Sequence, residues 1–335
     1  MQPIWKDYYV NLGNYDSINY MILCDGEKVY SGRAFKRPGE QTISIRINDI
    51  CADYMLNVLP RMTAQSFDAI GYPAFEIKTT ENGETWESVD QVEFYNDWSY
   101  DYAHDPARDG LAFPVTGKIA RSQWLTYSAF KASSIRADIK LKDGSSSFVI
   151  IPVEISADFN ADFNSDFALS VRPALSGTAV FKLDKFDAES VKINGTTYQV
   201  VDDCNRFILY YCNEHGGWDS LLIDANHAES DELSRMMRDV TYDNRNVSNR
   251  GRGNYMNEVT KVMTLNTSWL TGDQPSRMHH LLNAIDVYLY DSHADAMIPV
   301  LLTNTTTEYK TYKGNGGQLV NYAIEVEFAN RRIRR

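Results

Sequence analysis

The side chains with most chemical potential are six histidines, four cysteines and one acidic repeat. His104, His215, His227, His279, His280 and His293 contain no H-E-x-x-H, the spacing that places two imidazoles on one helical face for zinc. His279 and His280 are adjacent on a predicted helix, so they are expected to diverge and not to share a metal. His215 falls in a predicted hairpin turn, where a polar residue needs no chemical role. Cys24, Cys51, Cys204 and Cys212 form no C-x-x-C pair, which argues for buried free thiols.

The repeat DFNADFNSDF puts Asp158, Asn160, Asp162, Asn164 and Asp166 at alternate positions, the oxygen spacing of a calcium loop. Phe163 stands where a hand-type loop needs glycine, and Leu169 stands where it needs the closing glutamate. A strand with a wet acidic face and phenylalanines behind it is the preferred reading, with calcium the weaker one. No phosphate loop, dinucleotide fingerprint or nucleophile elbow is present. Forty-five acidic residues supply no distinguishable catalytic pair. The expectation is therefore a protein with no catalytic residues, no cofactor and no metal, hence not an enzyme.

Surface chemistry offers recognition candidates instead. Trp98, Tyr100 and Tyr102 lie in a polar stretch, Trp98–Pro114, expected to be a long surface loop. Arg245, Arg250 and Arg252 lie in a glycine-containing loop, Asn244–Asn254, and Arg331, Arg332, Arg334 and Arg335 form a basic, solvated tip.

The elements holding these residues read mostly as strands. The stretch RFILYYCNEHGGWDSLLID gives two apolar runs, Phe207–Tyr211 and Trp218–Ile223, around Gly216-Gly217, and reads as a central hairpin. Thr42–Ile47 alternates Ile43, Ile45 and Ile47, and Asn82-Gly83 joins Ala74–Thr79 to Gln91–Tyr95. Asn48 or Asp49 is expected to cap a short helix bearing Ile50, Tyr54, Met55 and Val58. A second helix is expected near 273–285, with Asp273 as cap, Pro275 in its first turn, and Met278, Leu281, Leu282 and Ile285 facing the core. Glu229–Tyr242 reads as a short helix or an arm, and Leu319–Phe328 as a long last strand. The fold class is mainly β, two or more β-sandwich-like domains with a few short helices. The expected division is 1–170, or two small layers with a break near 60–72, and 171–335.

The formal charge of −12 argues against general nucleic-acid binding. It is uneven: residues 1–204 carry 19 Lys/Arg against 29 Asp/Glu, and residues 205–335 carry 14 against 16. No window has the apolar length to cross a membrane, and MQPIWKDYY lacks the basic-then-apolar pattern of a secretion signal, so a cytoplasm is the expected place of folding. Twenty-one tyrosines suit strands first and contact surfaces second.

The segments YYCNEHGGWDSLLID, SWLTGDQPSRMHHLLNAIDVYLYD and TTEYKTYKGNGGQLVNYAIEVEFANRRIRR, with DFNADFNSDF and GRAFKRPGEQTISIRINDI, resemble a family of strand-rich virion proteins. These belong to phages and prophages of gut Bacteroides-type bacteria and are regarded as tail or neck components. The resemblance implies a non-enzymatic subunit that builds a homo-oligomeric ring or tube in the tail, neck or baseplate. Its expected partners are copies of itself and other virion proteins, and its location is the virion, assembled in the host cytoplasm. It implies no particular site residue. The alternative is a carbohydrate- or cell-surface-binding β-sandwich adhesin stacking Trp98, Tyr100 and Tyr102 on sugar rings, and the third reading is a glycan hydrolase.

Overall fold

Buried positions recur at every second residue along many segments, and this period sets the architecture. The computed structural model describes residues 2–24, 26–55, 62, 66–69, 73–99, 103–130, 132, 134–152, 176–202, 207–239, 252–304, 319–330 and 332–334. The first part of the chain forms β1 (Gln2–Pro3), β2 (Tyr9–Gly13), β3 (Ser17–Cys24), β4 (Glu27–Phe35), β5 (Ile43–Arg46), α1 (Asn48–Ala52), β6 (Ser66–Ala69), β7 (Ala74–Thr80) and β8 (Glu87–Tyr95). Next come α2 (Pro106–Asp109), β9 (Lys118–Ala120), β10 (Trp124–Phe130), β11 (Ser134–Leu141), β12 (Ser146–Pro152), β13 (Ser176–Lys182), β14 (Ala188–Ile193) and β15 (Thr196–Val201). The remainder forms β16 (Phe207–Cys212), β17 (Trp218–Leu222), β18 (His227–Asp239), β19 (Arg252–Asn266), α3 (Gln274–Leu282), β20 (Val287–Asp291), β21 (Ala296–Leu302), β22 (Ala323–Phe328) and β23 (Arg332–Arg334).

The protein is mainly β, built from several packed sheets. One sheet runs β1-β8-β7-β3-β4, and with the β2-β5 pair it shares a core containing Ile22, Ile43, Ile47, Phe75, Ile77 and Phe94. A second pair of sheets, β10-β13-β6 and β12-β11-β14-β15-β9, shares a core around Leu125, Ile139, Phe181, Val191 and Ile193. In β11, Ile135, Ala137 and Ile139 point inward while Arg136, Asp138 and Lys140 face solvent, the pattern of a half-buried strand.

The largest sheet runs β17-β16-β20-β21-β22-β19-β18, with β23 added to β19. All of β16 is buried, because its two faces serve two cores. Phe207, Leu209 and Tyr211 face a core completed by Met278 and Leu281 of α3, whereas Ile208 and Tyr210 pack with Ala120 and Leu222 and against Trp124. This double burial explains why β16, FILYYC, reads as continuous apolar sequence. The Tyr210 hydroxyl donates to the Trp124 carbonyl at 2.8 Å, joining the hairpin to β10.

Several expectations change. The short helix at 48–52 has Ile47, not Asn48 or Asp49, at its cap; the Asn48 amide instead accepts from Tyr8 N and donates to Ile4 O at 2.8 Å. Val58 lies outside the described residues. Helix α3 ends at Leu282, and Ile285 beyond it is exposed, so the core stripe stops at Leu281. Asp273 is its cap position but makes no side-chain capping bond. The segment 227–239 is a strand, and it forms one half of an arm with β19. The last long strand is reduced to β22, preceded by a single bridge from Val320 to Leu270. The backbone of Arg332–Arg334 pairs with Asn257–Val259 of β19.

Candidate functional site

The described part of the stretch expected to be a surface loop folds inward against the turn of the central hairpin. Leu111 is 1% exposed, and the His104 side chain is 3% exposed. Two glycines permit this contact. A Cβ on Gly216 would sit 2.4 Å from the Asn96 carbonyl oxygen, and one on Gly217 would sit 2.0 Å from that of Leu111. Gly216 also holds a φ of +83°, in the left-handed region that glycine favours.

Asn213 organises the turn. Its Oδ1 accepts from the backbone N–H groups of His215 and Gly217, each at 3.0 Å. Its Nδ2 donates to Leu111 O at 2.8 Å and to Asp219 Oδ2 at 2.7 Å. Trp98 N donates to Glu214 O at 2.7 Å, fixing the segment after β8 to the same turn.

This packing gathers four histidines around two carboxylates. Asp97, just after β8, presents Oδ2 3.1 Å from His104 Nδ1 and 3.4 Å from His215 Nδ1. Asp97 Oδ1 accepts from Ser99 N at 2.9 Å and Ser99 Oγ at 2.7 Å, which fixes the carboxylate plane. His104 Nε2 is 3.1 Å from the Gly110 carbonyl, at the end of α2. Glu214 Oε1 lies 3.0 Å from His279 Nε2 and 3.1 Å from His280 Nδ1, and Asn283 Nδ2 donates to its Oε2 at 3.2 Å. The rings of His104 and His215 stack at 3.7 Å between centroids, and those of His279 and His280 at 3.8 Å. Phe113 lies 4.8 Å from both His215 and His280. A cleft of about 700 Å³ opens onto the cluster.

Electrostatics follow from burial opposed by pairing. Burial works against ionising Asp97, but the imidazoles of His104 and His215 and the Ser99 donors outweigh it and hold the carboxyl well below its usual range. Glu214 is likewise penalised by burial and held down by His279, His280 and Asn283. Burial would lower His104, yet Asp97 and the Gly110 carbonyl raise it. Glu214 raises His279, whereas burial dominates at His280 and lowers it. Such a group of nitrogens facing carboxylates can hold protons or a cation between them.

Two sequence expectations are corrected here. His215 is not an idle turn residue: it is 4% exposed and beside Asp97. His279 and His280 do not diverge, because both imidazoles reach one Glu214 oxygen. Local spacing carries no signal for this, since Asp97, His104, Glu214 and the histidine pair come from three separate segments.

The other candidates do not join the cluster. Trp98 packs against the N-terminal core, with its Nε1 donating to Asn96 Oδ1. Arg252 pairs with Asp239 at 3.1 Å on the exposed arm. Asp158, Asn160, Asp162, Asn164, Asp166, Tyr100, Tyr102, Arg245, Arg250, Arg331 and Arg335 lie outside the described residues. Cys51 and Cys212 are buried free thiols, Cys24 is partly buried, and Cys204 lies outside the described residues. No helix among the described residues is long and apolar enough to cross a membrane.

No family model matches the chain, and no curated protein matches it. Among solved structures, the SGBP-B protein of the Bacteroides ovatus mixed-linkage glucan utilization locus, in complex with a mixed-linkage heptasaccharide, overlaps 70% of this chain at 10% identity with a TM-score of 0.15. The chain spans 58% of the length of that protein. Likeness at this level carries no argument about function.

Proposed function

We propose that this chain is a non-enzymatic structural subunit of a bacteriophage virion, assembling copies of itself into a ring or tube of the tail, neck or baseplate. The observation that supports this reading is the β18–β19 arm. All 13 residues of β18 are exposed, and β18 ends the strand order of the largest sheet. It pairs with β19 from His227 to Asp239, while β22 reaches only Val262–Asn266 of β19. At about 3.3 Å per residue the open edge is about 43 Å long.

A two-stranded ribbon is marginal alone, and a long exposed edge recruits other strands. Leu233 is 55% exposed and Met237 65%, which gives the edge an apolar component alongside its mixed charges. A second copy that adds a different strand edge to this one makes a head-to-tail contact, the kind that closes a ring or extends a tube. The adhesin reading has less support, because the Trp98 ring is partly buried against the N-terminal core and its Nε1 is hydrogen-bonded to Asn96.

Sedimentation and electron microscopy of the purified protein are expected to show closed rings or tubes. The double variant Leu233→Lys and Met237→Lys is expected to leave a folded monomer, since edge lysines oppose strand addition. A wild-type protein that stays monomeric at high micromolar concentration, and is missing from virions of a strain that carries its gene, would overturn the proposal.

A further inference from the structure

We infer that Asp97, His104 and His215 form a binding site for one divalent transition-metal ion, with Zn²⁺ the best fit. This site is independent of the assembly reading. One donor atom from each of the three residues lies within 4.8 Å of the others, and the three side chains are 1%, 3% and 4% exposed. Two donors of a tetrahedral zinc ion bound at about 2.05 Å are separated by about 3.3 Å. The His104 and His215 Nδ1 atoms lie 3.1 and 3.4 Å from Asp97 Oδ2, on either side of that value.

The hydrogen bonding points the same way. A carbonyl can only accept, so the contact of His104 Nε2 with Gly110 O places a proton on Nε2, and Zn²⁺ entering between His104 Nδ1 and Asp97 Oδ2 would displace the proton those two atoms share at 3.1 Å. A ligating histidine whose other nitrogen is held by a backbone carbonyl has this arrangement, and Ser99 gives the carboxylate its own outer support. His215 Nδ1 is fully buried and makes no aligned hydrogen bond, although it points to the same oxygen.

Two imidazole nitrogens with one carboxylate favour Zn²⁺ and its neighbours over Ca²⁺ or Mg²⁺, which take oxygen ligands. Glu214, His215 and His280 form a second convergent set that shares His215. The ion is assigned to the Asp97 set because its donors are more deeply buried than Glu214 and His280, whose side chains are 10% and 9% exposed. The ion would tie the end of β8 and the segment before α2 to the turn of the central hairpin.

The test is calorimetric titration of the metal-stripped full-length protein with Zn²⁺, alongside Co²⁺ absorption and thermal melting. One Zn²⁺ per chain is expected, with a tetrahedral Co²⁺ spectrum and a Tm raised by Zn²⁺ but not by Mg²⁺. Asp97→Asn and His104→Gln are each expected to weaken binding on the order of 100-fold, whereas His279→Gln retains it. The inference is overturned if the wild-type protein binds no stoichiometric Zn²⁺ and gives no tetrahedral Co²⁺ spectrum, a result that needs no variant to fold. Unchanged affinity in His104→Gln, or loss in His280→Gln with retention in Asp97→Asn, also overturns it.

Discussion

Gly217→Ala is expected to cost more than about 3 kcal/mol. The new methyl carbon would lie 2.0 Å from Leu111 O, 2.9 Å from Leu111 C and 3.1 Å from Asn213 Nδ2. Two of these atoms are backbone, so relief requires the 111–113 segment to leave the hairpin turn. Leu111 would then lose its buried position, and Asn213 its bond to the Leu111 carbonyl. A fall in Tm of about 6–12 °C is expected from differential scanning calorimetry. Gly144→Ala is the control: nothing lies within 4 Å of its Cβ, so only the left-handed φ of +85° is penalised, at about 1–2 kcal/mol. Equal losses for the two variants would refute the close-packing explanation.

The second large effect is a pH dependence centred on Asp219. This residue is 1% exposed, and burial pushes its carboxyl up to about 6 despite hydrogen bonds from Asn213 Nδ2 and Phe113 N. Its Oδ1 has no hydrogen-bond partner among the described residues, so the charged form is incompletely compensated. The folded protein therefore holds this proton more tightly than the unfolded chain, whose ordinary value is 3.8. The resulting stability is fully present below about pH 4 and is lost as pH rises through about 6. The span from 3.8 to about 6 corresponds to about 3 kcal/mol. Asp219→Asn keeps an oxygen for both donors and removes the titration. The stability of the variant relative to wild type is expected to rise by about that amount between pH 4 and pH 7.5, measured by urea unfolding. Parallel pH profiles for the two proteins would contradict this account.

The parts of the fold legible in the sequence are those whose burial is encoded locally. The hairpin at 207–222 announces itself because both faces of β16 are covered, leaving no polar interruption. Ile43 and Ile47 are likewise buried as their alternation requires. Strand β18 was illegible for the opposite reason. Its residues, HAESDELSRMMRD, bury nothing, and its extended form comes from pairing with a distant partner strand. Ile285 misled because helical spacing continues on paper after the helix has ended at Leu282.

The histidine cluster was hidden more deeply. Its members meet only when the segment around 97–104, the turn at 214–215 and the helix at 279–280 converge, and no local spacing reports on such an encounter. A usable hint was the close sequence of Glu214, His215 and Gly216-Gly217 in a turn flanked by wholly buried strands. Polar groups placed there must find partners from elsewhere in the chain.

The pairing order of the largest sheet has a consequence for synthesis on the ribosome. The two N-terminal cores draw only on residues up to Phe94, Trp98 and Val200, so their partners are all available once that much chain has emerged. The hairpin then appears with one edge of β16 uncovered, because its neighbour β20 spans Val287–Asp291. Met278 and Leu281, which close one face of the same core, are also still unmade. During this interval the nascent chain displays a fully apolar strand with unpaired backbone groups. The chain that has emerged by then carries 29 carboxylates against 19 basic groups in residues 1–204, a net negative charge that opposes premature association between neighbouring nascent chains.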